Sequence, residues 1–195
     1  MRNLLPLAWL VMAVLAIDGV WDPVLLIASS WFPQWAAATH PSGALQTDLA
    51  TLGMMLVTAI VFGTWTYLAG RNLVDAGYTD LEFSPGSRVW WFFVPIASLW
   101  KPFQGMRELW NASHGEGAYD VSAGFVTLWW ALYLGGGIVG GVLQGMAAVN
   151  PSESWLLWAV SALEATTAAV ASLMVLRITR AQRRLGGAAL TEVFA

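Results

Sequence analysis

The chain has 195 residues, of which 57% are hydrophobic and 11% are charged, and its formal net charge is −3. Soluble domains carry about 25% charged residues, so this composition excludes an ordinary soluble protein and predicts a multi-pass membrane protein. The absence of cysteine excludes disulfides, zinc–thiolate sites, iron–sulfur clusters and cysteine nucleophiles. The small net charge does not indicate nucleic-acid binding, and we expect no nucleic-acid partner.

Four apolar stretches are long enough to cross a bilayer as helices, which takes about 20 residues. They cover about 4–21, 49–69, 121–149 and 155–176. The first follows Arg2 and lacks a clean cleavage site, so we expect an uncleaved anchor. Between the first two spans the chain is broken by prolines, and its aromatic residues suit the membrane–water interface. The sequence therefore predicts an all-α integral membrane protein with one domain over residues 1–195.

The segment 87–111, between the second and third spans, is apolar enough to enter a membrane. The residues Ser84-Pro85-Gly86-Ser87, just before its uncharged part, are typical of a turn. The uncharged part, 89–100, is short and contains Pro95, which removes a helical hydrogen bond. Beyond it the pattern is amphipathic. The apolar face has Leu99, Phe103, Met106 and Trp110, and the polar face has Lys101, Gln104, Glu108 and Asn111. We predict a re-entrant segment followed by an interfacial helix; the alternative is a helical hairpin packed under the bundle.

The basic side chains favour four crossings over five. If 87–111 does not cross, all 9 basic residues lie on the side of both termini, as the positive-inside rule expects. They are Arg2, Arg71, Arg88, Lys101, Arg107, Arg177, Arg180, Arg183 and Arg184. If it does cross, Lys101, Arg107 and the C-terminal arginines move to the other side. We therefore expect a bacterial inner-membrane protein with cytoplasmic N- and C-termini.

A family resemblance begins in the second span. Its residues are Trp65, Tyr67, Ala69, Arg71-Asn72-Leu73, Phe83-Ser84-Pro85-Gly86 and the run WWFFVPIASLWKPFQGMRELW. This pattern resembles the bacterial multi-pass membrane family catalogued as domain of unknown function 4328. The resemblance covers roughly 50–180 and is most specific in 65–110, with Leu68 replacing an Arg of the family pattern and Ser98 replacing a frequent Asn. It implies a helical membrane fold and no particular activity.

Glu164 is the acidic residue that lies well inside a predicted span. A carboxyl at such depth is costly and is a functional candidate by default. We expect it to be protonated and level with about Val139 or Gly140, in the glycine-rich part of the third span. One interpretation is a proton or cation relay. The alternative is a neutral acid hydrogen-bonded to Ser161, to a nearby threonine or to the neighbouring backbone.

Small residues recur every four positions on the third span and densely on the fourth. The third span carries Gly137, Gly141 and Gly145, and the fourth carries Ala165 and Ala169. Such residues let helices approach closely, so we predict a glycine zipper between these two spans. The alternative is oligomerisation through the glycine face.

The other polar residues form no recognisable catalytic or metal-binding motif. Asp18 and Asp22 lie near the outer end of the first span and Asp48 at the start of the second, where we expect them in water or capping helices rather than binding a cation. His40 and His114 fall on opposite sides of the membrane. We therefore expect no catalytic residue, no metal site and no cofactor, and no cofactor-binding residue can be assigned.

Three functions are compatible with these features. The favoured one is a non-enzymatic accessory or scaffold subunit that packs against a larger membrane complex, in contact with lipid and with partner subunits or further copies of itself. The first alternative is a small transporter or channel that uses Glu164. The second is an intramembrane enzyme, for which the sequence offers no nucleophile, metal ligands or paired acids.

Overall fold

The structure is a computed structural model that describes residues 2–34, 43–116, 122–150 and 152–193, without the side chains of 43–48 and 187–193. The described helices are α1 (Leu5–Trp31), α2 (Gly43–Asp75), α3 (Pro85–Trp90), a 3-10 turn (Ala97–Leu99), α4 (Lys101–Ser113), α5 (Gly124–Val149) and α6 (Trp155–Val193). There is no strand among these residues. The all-helical prediction is confirmed.

Four helices are long and apolar enough to cross a membrane, as predicted. They are Leu5–Trp31, Leu49–Asp75, Gly124–Val149 and Trp155–Gly186. The main difference is in α1, which continues to Trp31 with Pro23 inside the helix. A membrane helix tolerates such a proline because its neighbours satisfy the freed backbone groups. The prediction of an interfacial loop directly after residue 21 was therefore wrong for residues 22–31.

The bundle is organised around α6, which packs against α1 on one side and α5 on the other. Helix α2 packs on α1, and the short helices α3 and α4 join it to the start of α5. The last helix extends well beyond the apolar stretch 155–176 that the sequence predicts as its span. It therefore reaches α4 and the chain's N-terminal residues at one end of the bundle.

The buried core is concentrated at that end, which we call the core end. Its largest buried side chains include Trp65, Leu73, Met106, Leu109 and Met174. The opposite part of the bundle, which we call the open half, consists of 17–31, 49–64, 137–149 and 155–168. Burial is sparse there, and α2 has no buried residue between positions 49 and 64.

Helix α3 starts where the turn chemistry of the sequence predicts a break. Ser84 caps it, because its Oγ accepts a hydrogen bond from the Ser87 N–H at 3.1 Å, and Pro85 is the first helical residue. After α3 the chain makes a tight turn in which the Ala97 N–H donates to the Pro95 carbonyl at 2.7 Å. The residue between them, Ile96, has φ 66°, a strained conformation for a β-branched residue.

Helix α4 is packed inside the protein rather than lying on its surface. The prediction that Glu108 and Asn111 face water was wrong, since they are only 5% and 1% exposed. Met106 is also buried, whereas Phe103 and Trp110 are half-buried. The predicted apolar face begins at Leu99, which lies in the 3-10 turn and is 54% exposed. Contacts with α2, α5 and α6 hold α4, as the packed-hairpin alternative expects.

Candidate functional site

A close crossing of α1 and α6 lies at Gly19, in the open half. A Cβ atom at this position would stand 2.8 Å from the Ala168 Cβ and 3.3 Å from the Ala165 Cα. Real Cβ atoms do not approach another carbon at the shorter distance, so the crossing requires glycine. The predicted packing residue Ala165 therefore contacts α1 rather than α5.

This crossing brings three carboxyl groups together, which we call the carboxyl cluster. Asp22 and Asp18 both lie close enough to Glu164 to interact with it electrostatically, and they interact with each other in the same way. Asp18 and Glu164 are exposed on the surface of the bundle, and Asp22 is half-buried.

The carboxyl cluster lies within the spanning helices. Glu164 is about 13 Å along the helix from Trp155, at 1.5 Å per residue, and Asp22 is about as far from the α1 end at Trp31. The prediction that Asp18 and Asp22 lie near the end of the first helix was wrong, because α1 continues to Trp31. Two further carboxyl groups therefore lie close to Glu164, which the sequence alone did not reveal.

Glu164 also differs from the prediction in the neighbour it faces. Its electrostatic neighbours are Asp18 and Asp22 of α1, whereas the glycines of α5 lie nearest to Leu163, Thr167 and Val160. The nearby hydroxyls are engaged elsewhere: Thr166 donates to the Ala162 carbonyl at 2.7 Å, and Thr167 donates to the Leu163 carbonyl at 2.8 Å. In contrast, the Ser161 Oγ is buried and has no hydrogen-bond partner among the described residues.

The described residues contain no group of three or more His, Asp or Glu side chains that could hold a metal ion. The other polar residues named from the sequence do not join the cluster within the described part of the chain. His114 is at the core end, with its ring 4.5 Å from the Trp110 ring. His40 and the side chain of Asp48 lie outside the described residues.

The glycines of α5 show which row of small residues packs against α6. A Cβ at Gly136 would contact Leu163 at 3.4 Å, and one at Gly140 would contact Val160 at 3.9 Å. A Cβ at the predicted zipper positions would meet no atom of the described residues within 4 Å; these positions are Gly137, Gly141 and Gly145. The prediction that this row packs against the last helix was wrong. Ala169, its predicted partner on α6, is exposed as well.

A second polar site lies at the core end, around the ion pair of Arg88 and Glu108. Arg88 is 1% exposed, and its Nη2 donates to Glu108. The same carboxylate accepts from the backbone N–H groups of Glu82 at 2.7 Å and Phe83 at 3.3 Å. Burial lowers the pKa of the Arg88 guanidinium, an effect that the neighbouring Glu108 carboxylate partly offsets.

Two glycines make room for this buried arginine. A Cβ at Gly70 of α2 would stand 3.2 Å from the Arg88 Nη1, and one at Gly105 of α4 would stand 3.4 Å from the Arg88 Cγ. Arg88 is the one charged residue in an otherwise uncharged run from Ser84 to Trp100. That isolation was the sequence signal of a buried partner, and it was missed.

A hydrogen-bond network beside this pair joins four parts of the chain. The Asn72 side chain accepts from the Arg2 N–H at 2.8 Å and donates to the Arg2 carbonyl at 3.0 Å and to the Gln182 Oε1 at 3.1 Å. The Gln182 Nε2 donates to the Ala69 carbonyl and to the Ser113 Oγ, both at 3.0 Å. The N-terminus, α2, α4 and α6 are thereby held in register.

Aromatic rings fill the core end around this network. The Trp65 Nε1 donates to the Thr179 Oγ1 at 3.1 Å, and the Trp130 Nε1 donates to the Leu99 carbonyl at 3.1 Å. The Phe62 ring lies 6.1 Å from Trp129, which is itself 5.4 Å from Trp130. Both indole donors are satisfied, so these tryptophans serve packing rather than an open binding pocket.

Four apolar helices and a polar core at one end define a multi-pass helical membrane protein that contacts the lipid bilayer. Residues 31–184 match the family described as domain of unknown function, DUF4328, and the chain belongs to that family. No curated protein and no solved structure matches the chain. The motif residues behind the resemblance lie mainly at the core end, where Trp65, Ala69, Asn72 and Phe83 are buried. The atypical Leu68 is half-buried.

Proposed function

We propose that the protein is a non-enzymatic accessory or scaffold subunit that packs against a larger membrane complex through its open half. The carboxyl cluster carries this proposal, because Asp18 and Glu164 are exposed on the surface of spanning helices. Ionisable groups within a bilayer almost always face protein or water, since lipid cannot solvate them. A partner helix over α1 and α6 would supply that cover.

The rest of the open half supports the same proposal. Helix α2 has exposed apolar side chains over its first turns, including Met55 at 66% and Ile60 at 66%. The row formed by Gly137, Gly141 and Gly145 gives α5 an outward face without side chains. Small residues on an outward face allow close approach of another helix.

Charge indicates which kind of partner fits the carboxyl cluster. A second copy of this chain offers no lysine or arginine at that depth, because all 9 basic residues of the sequence lie outside the open half. A different membrane protein with a basic or hydrogen-bond-donating side chain in its span would satisfy Asp18 and Glu164. We therefore propose a heteromeric partner rather than a homo-oligomer.

The proposed setting is the bacterial inner membrane, with both termini in the cytoplasm and the core end on the cytoplasmic side. The distribution of basic residues supports this orientation. The residues after α3 would form a re-entrant dip into the adjacent leaflet, supported by exposed Phe93 at 63% and Ile96 at 71%. A reporter fused after Trp110 should be active only in the cytoplasm; activity only in the periplasm would refute the orientation.

Photo-cross-linking in native membranes tests the partner. A photoreactive residue at Ile17 of α1 or Ile60 of α2, both exposed in the open half, should give an adduct with one other membrane protein. The matched control is Val74, which is 46% exposed but lies at the core end. Adducts with a second copy of the chain would refute the heteromeric partner, and adducts with lipid alone would refute the accessory role.

One observation favours a second candidate, a small proton or cation transporter. Two carboxyls that interact across neighbouring helices, Asp22 and Glu164, are an arrangement found in proton relays. Under this candidate, purified protein in liposomes should show pH-dependent flux that Glu164→Gln abolishes with folding intact. Wild-type liposomes without proton or cation flux would eliminate transport by the isolated chain.

A further inference from the structure

One face of α6 carries a stripe that changes from apolar to basic as the helix leaves its apolar stretch. Leu173 is 45% exposed on this face. Arg177, Arg180 and Arg184 follow at helical spacing and are all exposed, whereas the opposite face of α6 is buried at Met174, Ile178 and Gln182. Neighbours three and four apart on a helix lie about 5–6 Å from each other, so successive guanidinium groups can act together.

These arginines have no carboxylate partner among the described side chains. The ion pairs of the described residues join Arg71 to Asp75, Arg88 to Glu108 and Lys101 to Glu82. Within the described part of the chain, the stripe on α6 therefore presents positive charge without an ion pair. A guanidinium group presents a planar fork of donors that matches the oxygens of a phosphate.

The first of these arginines is held in place by an aromatic stack. The Arg177 Cζ lies 4.5 Å from the centre of the Phe125 ring on α5. Phe125 stacks on Trp110 of α4 at 5.7 Å, and Trp110 stacks on His114 at 4.5 Å. A cation over an aromatic face is stabilised there, so Arg177 is positioned before any ligand arrives.

We propose that Arg177 and Arg180 bind the phosphate of an anionic phospholipid whose acyl chains lie along Leu173. The apolar surface precedes the guanidinium groups on the same helix face, in the order that a phospholipid presents its chains and its headgroup. A basic surface beside a spanning helix is the usual recognition element for anionic lipids. This site lies at the core end and does not depend on the proposed partner of the open half.

Native mass spectrometry tests the site in the intact chain, released from nanodiscs of equal parts phosphatidylglycerol and phosphatidylcholine. Wild-type protein should retain phosphatidylglycerol in preference to phosphatidylcholine. Arg177→Lys keeps the charge but loses the fork and should lower this retention about fivefold. The matched control, Arg183→Lys, changes an exposed arginine of the same helix that lies off the stripe, and should retain lipid like the wild type.

A second variant, Phe125→Leu, keeps every charge and removes the ring under Arg177. It should also lower phosphatidylglycerol retention, with the protein still folded by its tryptophan fluorescence. Equal losses in Arg177→Lys and Arg183→Lys would overturn the site in favour of general attraction to positive charge. Equal retention of the two lipids would overturn it as well. Displacement of the lipid by millimolar inorganic phosphate would assign the arginines to free phosphate instead.

Discussion

The two ends of this bundle differ in whether their polar side chains are paired within the chain or exposed on its surface. At the core end, the most deeply buried charged and amide side chains have partners within the chain, as in Arg88 with Glu108 and Asn72 with Gln182. In the open half, Asp18 and Glu164 are exposed on spanning helices, and α2 has no buried residue between 49 and 64. The core end can therefore hold the fold by itself, whereas the open half presents polar groups that the isolated chain leaves uncovered.

The largest expected effect tests whether the core end holds the fold. Glu108→Leu leaves Arg88 buried without its counterion and removes the acceptor of two backbone N–H groups. Breaking such a pair from one side costs about 3–5 kcal/mol, so the unfolding midpoint in detergent should fall sharply. The matched control is Glu82→Leu, which removes the exposed ion pair to Lys101 and should cost about 0–1 kcal/mol. Equal costs for the two variants would contradict a buried, structural ion pair.

A smaller loss of stability should follow from replacing Gln182, the residue at the centre of the hydrogen-bond network. Gln182→Leu leaves the Ala69 carbonyl and one Asn72 donor without a partner, and each such buried group costs about 1–3 kcal/mol. Its exposed neighbour in the same helical turn provides the control, since Arg183→Leu should change the free energy of unfolding by no more than about 0.5 kcal/mol. Chemical denaturation of both variants in the same detergent makes the comparison, and a Gln182 effect as small as the control would count against the network.

Two glycines of the open half distinguish a packed helix surface from an exposed one. Gly19→Leu places a side chain where a Cβ already meets Ala168 at 2.8 Å, so overpacking should cost about 1–3 kcal/mol. Gly141→Leu places the same side chain where a Cβ meets nothing within 4 Å, and the stability of the isolated chain should not fall. Thermal unfolding of the purified variants distinguishes the two positions. A larger loss at Gly141 would restore the zipper between α5 and α6 that the sequence predicts.

The smallest expected effect is a gain in stability, at Ile96. Ile96 has φ 66° and is 71% exposed, so its side chain contributes little packing to offset the strain. Ile96→Gly should raise stability in detergent by up to about 1 kcal/mol, because glycine adopts this conformation without strain. Ala97→Gly, one position along, should instead lower stability slightly. A loss at Ile96 in detergent would show that the turn is held by contacts of its side chain.

The fold was predictable from sequence where the signal is local. Length and hydropathy located four spanning helices, and the turn residues before Arg88 located the start of α3. The end of α1 was misplaced because Pro23 is a helix breaker in water, whereas a spanning helix can contain it. The polar face of α4 was assigned to solvent because periodicity shows that Glu108 and Asn111 share a face, and not what covers that face.

The candidate site was only half predictable for a related reason. Glu164 is identifiable from its depth alone, but its proximity to Asp22 depends on how α1 and α6 cross, which no local pattern specifies. The glycines of α5 form two adjacent rows, and sequence spacing cannot say which row meets α6. The structure shows that the row containing Gly136 meets α6, because a Cβ at that position would contact Leu163.

The most direct test of a partner over the open half is the double variant Asp18→Leu/Glu164→Leu, purified with the wild type from native membranes in lipid nanodiscs. We predict that the wild type carries one other membrane protein in fixed stoichiometry. The variant should lose that protein while the isolated chain melts at the same or a higher temperature, because costly carboxyls have left a lipid-facing surface. A wild type without any partner, or a variant that keeps the partner, would contradict the proposed role of the carboxyl cluster.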